Sequence, residues 1–316
     1  MIDFRYHLIS IVAVLLALAI GIATGSGFLG GPLLDELESQ SADLFDRNQR
    51  LRDTALDLNR RLNASSEALA ALEPHLVAGA LSAEQVVLIV FEGSDEAMID
   101  EVRSALEDAE GRIATTITLS SKFALAEPAD RDELTDIVSD SAGSDLSQLR
   151  VSAARALGDS LAAVASPDVE SARTGGPSAR LRLLTARFEE AGFLSIDTEV
   201  EGQIVPASPS LVLVGGAEAP PPFDAGGFAT AFMSELGRKE LPLVAAESVD
   251  STWGVVATLR ADDETRDAVW TVDQADTPAG WISVPLALSR AIGRPAEHYG
   301  TDPGATEVIP QPTPSG

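Results

Sequence analysis

The chain has 316 residues, 45% of them hydrophobic, enough for one large domain or two small ones with appendages. Its formal net charge of -27 repels nucleic acid and anionic lipid head groups, which excludes DNA or RNA as expected partners. There is no cysteine, and His7, His75 and His298 are far apart, so disulfides, thiol chemistry, iron–sulfur clusters and a histidine-rich metal centre are not expected.

From Tyr6 to Leu34 no Asp, Glu, Lys or Arg occurs. Leu8–Leu29 is apolar and, as a helix of about 22 residues, rises about 33 Å, enough to span a bilayer. Arg5 precedes it and Asp35, Glu36 and Glu38 follow, so the positive-inside rule places Met1 in the cytoplasm and the chain after Pro32 outside. A cleaved signal peptide is the rival reading. A single Arg offset by Asp3, and an apolar run continuing past Ala23, favour a retained anchor in the cell membrane. Gly21 and Gly25, extended by Ala13 and Ala17, repeat small residues every four positions, as in close-packing membrane helices. The same residues are also simply common in such spans. Gly25, Gly27 and Gly30 match G-x-G-x-x-G, but no strand precedes them, so a dinucleotide site is rejected and no cofactor is expected.

Residues 33–73 repeat in sevens. Leu37, Leu44, Leu51, Leu58 and Leu72 fall on d positions, and Leu34, Ser41, Asn48, Ala55, Leu62 and Leu69 on a positions. Leucine at d with one polar Asn48 at a predicts a parallel two-stranded coiled coil, hence a homodimer or higher homo-oligomer. The competing reading is an amphipathic helix folded back on its own domain. Glu73-Pro74 is expected to end this stalk.

Residues 74–300 alternate strand and helix patterns. The run Val86–Phe91 reads as a strand buried on both faces, followed by a helix over Asp95–Glu110 and a strand over Arg112–Leu119. Helices are expected over Asp130–Ser139, Asp145–Leu157, Arg180–Ala191 and Gly226–Gly237. Strands are expected over Leu211–Val214, Leu243–Ala246, Gly254–Thr258 and Ala268–Val272. Thr277-Pro278 marks a final helix start. This pattern predicts an α/β class: a parallel sheet, doubly wound and Rossmann-like, covered on both faces, on the far side of the membrane. Residues 301–316, rich in Pro, Gly, Thr and Ser, are expected to be disordered.

In open α/β sheets ligands sit beyond the carboxyl ends of the strands. Those ends offer Glu92, Asp95, Glu218, Glu247, Asp273 and Asp276 as a candidate pocket for a hard cation. The plainer reading makes them helix caps and solvated turns. No Walker A, G-x-S-x-G or H-E-x-x-H pattern is present, so no enzyme is expected and no catalytic residue is named.

Two segments are distinctive: Ile2-Asp3-Phe4-Arg5-Tyr6-His7-Leu8-Ile9-Ser10-Ile11, and Val272-Asp273-Gln274-Ala275-Asp276-Thr277-Pro278-Ala279-Gly280 with its closing Glu297-His298-Tyr299-Gly300. Together they resemble the actinobacterial family named after the mycobacterial copper transport protein MctB. That resemblance covers anchor, stalk and α/β domain. It implies an envelope protein of copper efflux and homeostasis, described for the family as an outer-membrane channel, or a role in envelope and cell division through a protein partner. The residues themselves carry no alternating ten-residue segments of a membrane barrel, and of the Cys and Met ligands preferred by Cu(I) they offer no Cys and only Met1, Met98 and Met233. Copper therefore rests on the resemblance.

Overall fold

The computed structural model describes residues 4–27, 31–138, 145–165, 176–199, 205–206, 208–291 and 293–311, and it divides into two compact units, Met1–Ser65 and Ser66–Gly316.

In the first unit, helix α1 (Phe4–Gly27) contains a 22-residue stretch, Phe4–Gly25, long and apolar enough to cross a membrane. Helix α2 (Gly31–Val77) begins here and continues into the second unit.

The second unit is built on a sheet. A continuous apolar run has no polar face to offer water, so it is stable only when covered on both sides. Strand β1 (Gln85–Phe91) meets that condition: only Gln85 is exposed. Val87, Ile89 and Phe91 join one hydrophobic core, and Val86, Leu88 and Val90 join the other. The remaining strands are β2 (Arg112–Leu119), β3 (Leu194–Thr198), β4 (Ser210–Gly215), β5 (Leu243–Glu247), β6 (Trp270–Val272) and β7 (His298–Tyr299). Their order is β3-β2-β1-β4-β5-β6-β7, and every pairing is parallel except β2 with β3.

Helices close both faces. On one side pack α4 (Pro128–Val138), α5 (Leu146–Ala165), α6 (Gly176–Glu190), α7 (Ala225–Gly237) and α8 (Val255–Ala261). Phe91, Phe123, Phe188, Phe193, Phe223, Phe228 and Phe232 form a connected aromatic group there, with neighbouring centroids 4.9–6.4 Å apart. On the other side lie α3 (Glu96–Asp108) and α10 (Pro278–Arg290) with Val77 and Leu81. Helix α3 buries Met98, Val102, Ala105 and Leu106, the one-sided spacing of a 3.6-residue repeat. Met98, Val102 and Leu106 each contribute about 1.5–3 kcal/mol of burial. Helix α9 (Asp263–Ala268) leads into β6.

Four expectations need correction. Helix α2 does not stop at Glu73-Pro74 but runs through Pro74 to Val77. One proline removes one N–H, and here the last turn is retained by buried Val77 and by the Trp281 indole donating to Glu73 at 2.9 Å. Gly254–Thr258 is not a strand. Gly254 is the N-cap of α8, and Val255, Val256 and Leu259 are buried on the inner face of that helix. The sheet is not wholly parallel, because β3 returns antiparallel along the β2 edge. Residues 301–311 are ordered against the sheet: Gly300 N–H donates to the Glu307 carbonyl at 2.9 Å, and Gln274 Nε2 donates to the Val308 carbonyl at 3.0 Å. The remaining residues of that expected tail, 312–316, lie outside the described residues.

Candidate functional site

Strands β1 and β4 are neighbours, and the chain leaves them in opposite directions along the sheet, β1 toward β2 and β4 toward β5. This reversal is where an open α/β sheet usually leaves a ligand crevice. Here described residues of the protein meet across that reversal. The Asp95 N–H donates across it to the Gly216 carbonyl at 3.1 Å. Gly216 sits at φ +115°, and a side chain there would meet Ser251 Oγ at 2.7 Å and Glu247 Cγ at 2.8 Å. The Trp253 ring lies 3.8 Å from where Gly93 would carry a Cβ. That indole donates to the Ala219 carbonyl at 2.8 Å and stands edge-on to Phe91, centroids 6.0 Å apart. Beside it, the buried Ser94 hydroxyl has no hydrogen-bond partner.

The six strand-end carboxylates share one edge of the sheet, and the side-chain oxygens of five, Glu92, Asp95, Glu247, Asp273 and Asp276, accept hydrogen bonds within the protein. Glu92 accepts from Ser121 N–H at 2.6 Å and Ser120 Oγ at 2.9 Å, and these bonds hold its pKa below the ordinary range. Asp95 caps α3, accepting from Ala97 N–H at 2.9 Å and Met98 N–H at 3.3 Å. Glu218 contributes its main-chain oxygen, which accepts from Thr252 Oγ1 at 3.3 Å. Glu247 is buried and uses both oxygens, accepting from Ser251 Oγ at 2.5 Å and Val256 N–H at 2.7 Å. It thereby satisfies the first turn of α8, whose N-cap glycine has no side chain to offer. Asp276 accepts from Val249 N–H at 2.8 Å. Asp273 belongs to the network described next. Among the described residues, no group of three or more His, Asp or Glu side chains is placed to hold a metal ion.

Sequence reasoning missed the partner of Asp273. Arg260, on α8, donates from Nη1 to Asp273 Oδ2 at 2.7 Å, from Nε to Thr271 Oγ1 at 2.8 Å and from Nη2 to the Tyr299 carbonyl at 2.9 Å. Asp273 also accepts from Thr301 N–H at 2.7 Å and Asp302 N–H at 3.0 Å. A guanidinium only donates, so the Thr271 hydroxyl accepts from Arg260 and is free to donate to His298 Nδ1, 2.9 Å away. The His298 ring is buried. Burial, then the charges of Arg260 and Arg266, push its pKa below 6.5. Burial and the nearby Asp273 push Asp302 up. Gly300, at φ +129°, is required because any Cβ would overlap the Asp273 carboxylate. No sequence spacing announces Arg260; the signal was the distinctive segment 272–280 and its closing 297–300, which β6 and β7 bring side by side.

The residues expected to associate copies are also placed. Gly21 and Gly25 have open space where a Cβ would stand. Leu37, Leu44, Leu51 and Leu58 are each more than half exposed on α2, and Asn48 is exposed among them.

The family described as "Copper transport outer membrane protein, MctB" matches residues 1–310. The chain belongs to the MctB family. Among its relatives, proteins named copper transporter MctB from Mycobacterium bovis and Mycobacterium tuberculosis are each 31% identical over 313 residues, 98% of this chain and 99% of theirs. The copper transporter MctB of Mycobacterium leprae is 28% identical over 326 residues, 98% of this chain and 100% of its own. The segments that carry the MctB resemblance near the C-terminus, 272–280 and 297–300, are those joined through Arg260 and Asp273.

Proposed function

We propose that this chain is a membrane-anchored envelope protein acting in copper transport and copper homeostasis. The observation that carries this reading is the full-length match: family and relatives align over anchor, long helix and α/β unit alike, not over a shared fold alone. The anchor is α1, with its N-terminus cytoplasmic and the α/β unit extracytoplasmic, as the charge asymmetry around the span supports. The α/β unit is Rossmann-like and doubly wound. The heptad leucines of α2 form a parallel coiled coil that makes the protein a homodimer or higher homo-oligomer. A single span makes no pore, so a channel needs several copies of α1, for which Gly21 and Gly25 offer a close-packing face.

A second reading is favoured by the contacts across the β1–β4 reversal and by the hydrogen-bond partners of the strand-end carboxylates. In it the α/β unit is a non-enzymatic scaffold, and its surface meets an envelope or division protein. Copper influence is then indirect.

A deletion strain grown across a copper series, with cell-associated copper and cell shape scored together, separates the two. Raised cell copper with normal shape is expected for the transport role. Unchanged copper with elongated or misshapen cells would replace it with the scaffold.

A further inference from the structure

The sevenfold repeat does not end with the exposed leucines before residue 65. Counted on from Leu58 and Leu62, the next a and d positions are Ser65, Leu69, Leu72 and Leu76, all on α2. Leu72 and Leu76 are 54% and 40% exposed. Leu69 and Leu76 form one wall of an apolar groove of about 270 Å³, with Ile282 and Leu286 of α10 opposite and Ile309 and Pro310 closing one side. No charged side chain lines this groove, although the chain carries a net charge of -27. Two acidic copies meeting here would bring together the apolar lining of the groove, with the buried Glu73 beside it. The volume falls below the roughly 300–1,000 Å³ of small-molecule sites and suits inserted side chains.

We infer that this groove is the last rung of the homodimer seam, covered by the same segment of a second copy. The inference rests on the parallel-dimer reading above and extends it from α2 to α10. In a parallel two-stranded coil, a d residue enters a hole formed by four residues of the facing helix. For the partner's Leu72 that hole is Leu69, Leu72, Glu73 and Leu76. Two of these line the groove, and Glu73 is held to α10 through the Trp281 indole at 2.9 Å. The α/β unit therefore takes part in the interface, and a change on α10 reaches the seam.

The chain has no native cysteine, so single substitutions report without background. In the full-length protein in membranes, Leu51→Cys and Leu72→Cys are both expected to give disulfide-linked dimers under mild oxidation. Crosslinking at Leu51 with none at Leu72 would overturn this inference and leave the coiled coil standing. No crosslinking at either would overturn both. Leu286→Glu lies outside the heptad; in its background, crosslinking at Leu72 is expected to fall several-fold while that at Leu51 persists. Undiminished crosslinking at Leu72, in a variant that still melts cooperatively, would assign the groove to a different occupant.

Discussion

Arg260 and Asp273 face each other at 2.7 Å with side chains only 5% and 2% exposed. An ion pair this deep is retained only because its other hydrogen-bonding capacity is also met, here by Thr271, the Tyr299 carbonyl and two backbone N–H groups. Removing one partner strands the other charge. Asp273→Asn is expected to lower stability by about 3–5 kcal/mol, read by urea unfolding of the purified protein. A change below the error of the fit would mean that water reaches Arg260.

His298 makes stability depend on pH. Its folded pKa lies below the unfolded 6.5, so the unfolded chain takes up the proton first. The contribution of the neutral imidazole is complete above 6.5 and is lost as pH falls from there toward the folded value. The groups bearing on the ring are Arg260, Arg266 and Asp267. His298→Asn retains an acceptor for Thr271 but does not titrate. It is expected to flatten the loss of stability between pH 7 and 5, followed by chemical denaturation at each pH.

Glu73 acts in the opposite direction. Burial, and then the charges of Asp108 and Glu101, raise its pKa above 4.5 despite the bond from Trp281, and its other oxygen is buried without a partner. Folding therefore favours the protonated acid. That advantage is full below pH 4.5 and disappears as pH rises through the folded pKa. Glu73→Gln mimics the protonated form. It is expected to raise the melting temperature at pH 7 to 8, with the gain vanishing at pH 4.

Trp253 fills the reversal point between β1 and β4. Trp253→Ala is expected to cost about 3–5 kcal/mol by urea unfolding, because the ring packs on Phe91 and its N–H satisfies a loop carbonyl. A loss under about 1 kcal/mol would mean that the crevice collapses or rehydrates readily.

Elements whose pattern is local were legible in the sequence. The run Val86–Phe91 has no polar face and is a buried strand. Thr277 caps α10 through Gly280 N–H, as its place before Pro278 predicts. Val255–Ala261 misled because Gly-Val-Val reads as a strand entry, whereas the decisive group is Glu247, eight residues before Val255, accepting from the Val256 N–H. Strand β3, Leu-Ser-Ile-Asp-Thr, has too few apolar residues to stand out, and it exists because β2 offers an edge. The strand-end carboxylates could be located by number, but not their partners: Ser120 for Glu92, Val249 for Asp276 and Thr301 for Asp273 are each about thirty positions away and meet only in the folded sheet.

The dependence of Asp273 on Thr301 and Asp302 has a consequence for biosynthesis. A ribosome completes β1, β4 and β5 long before it reaches these residues. Until they emerge, a guanidinium already positioned on α8 faces a carboxylate lacking two of its donors, and β6 lacks its outer neighbour. The nascent unit therefore stays open along that edge until Tyr299, Thr301 and Asp302 are available to close it. A chain cut short before Tyr299 would lose the closing step of folding, not merely a decorative tail.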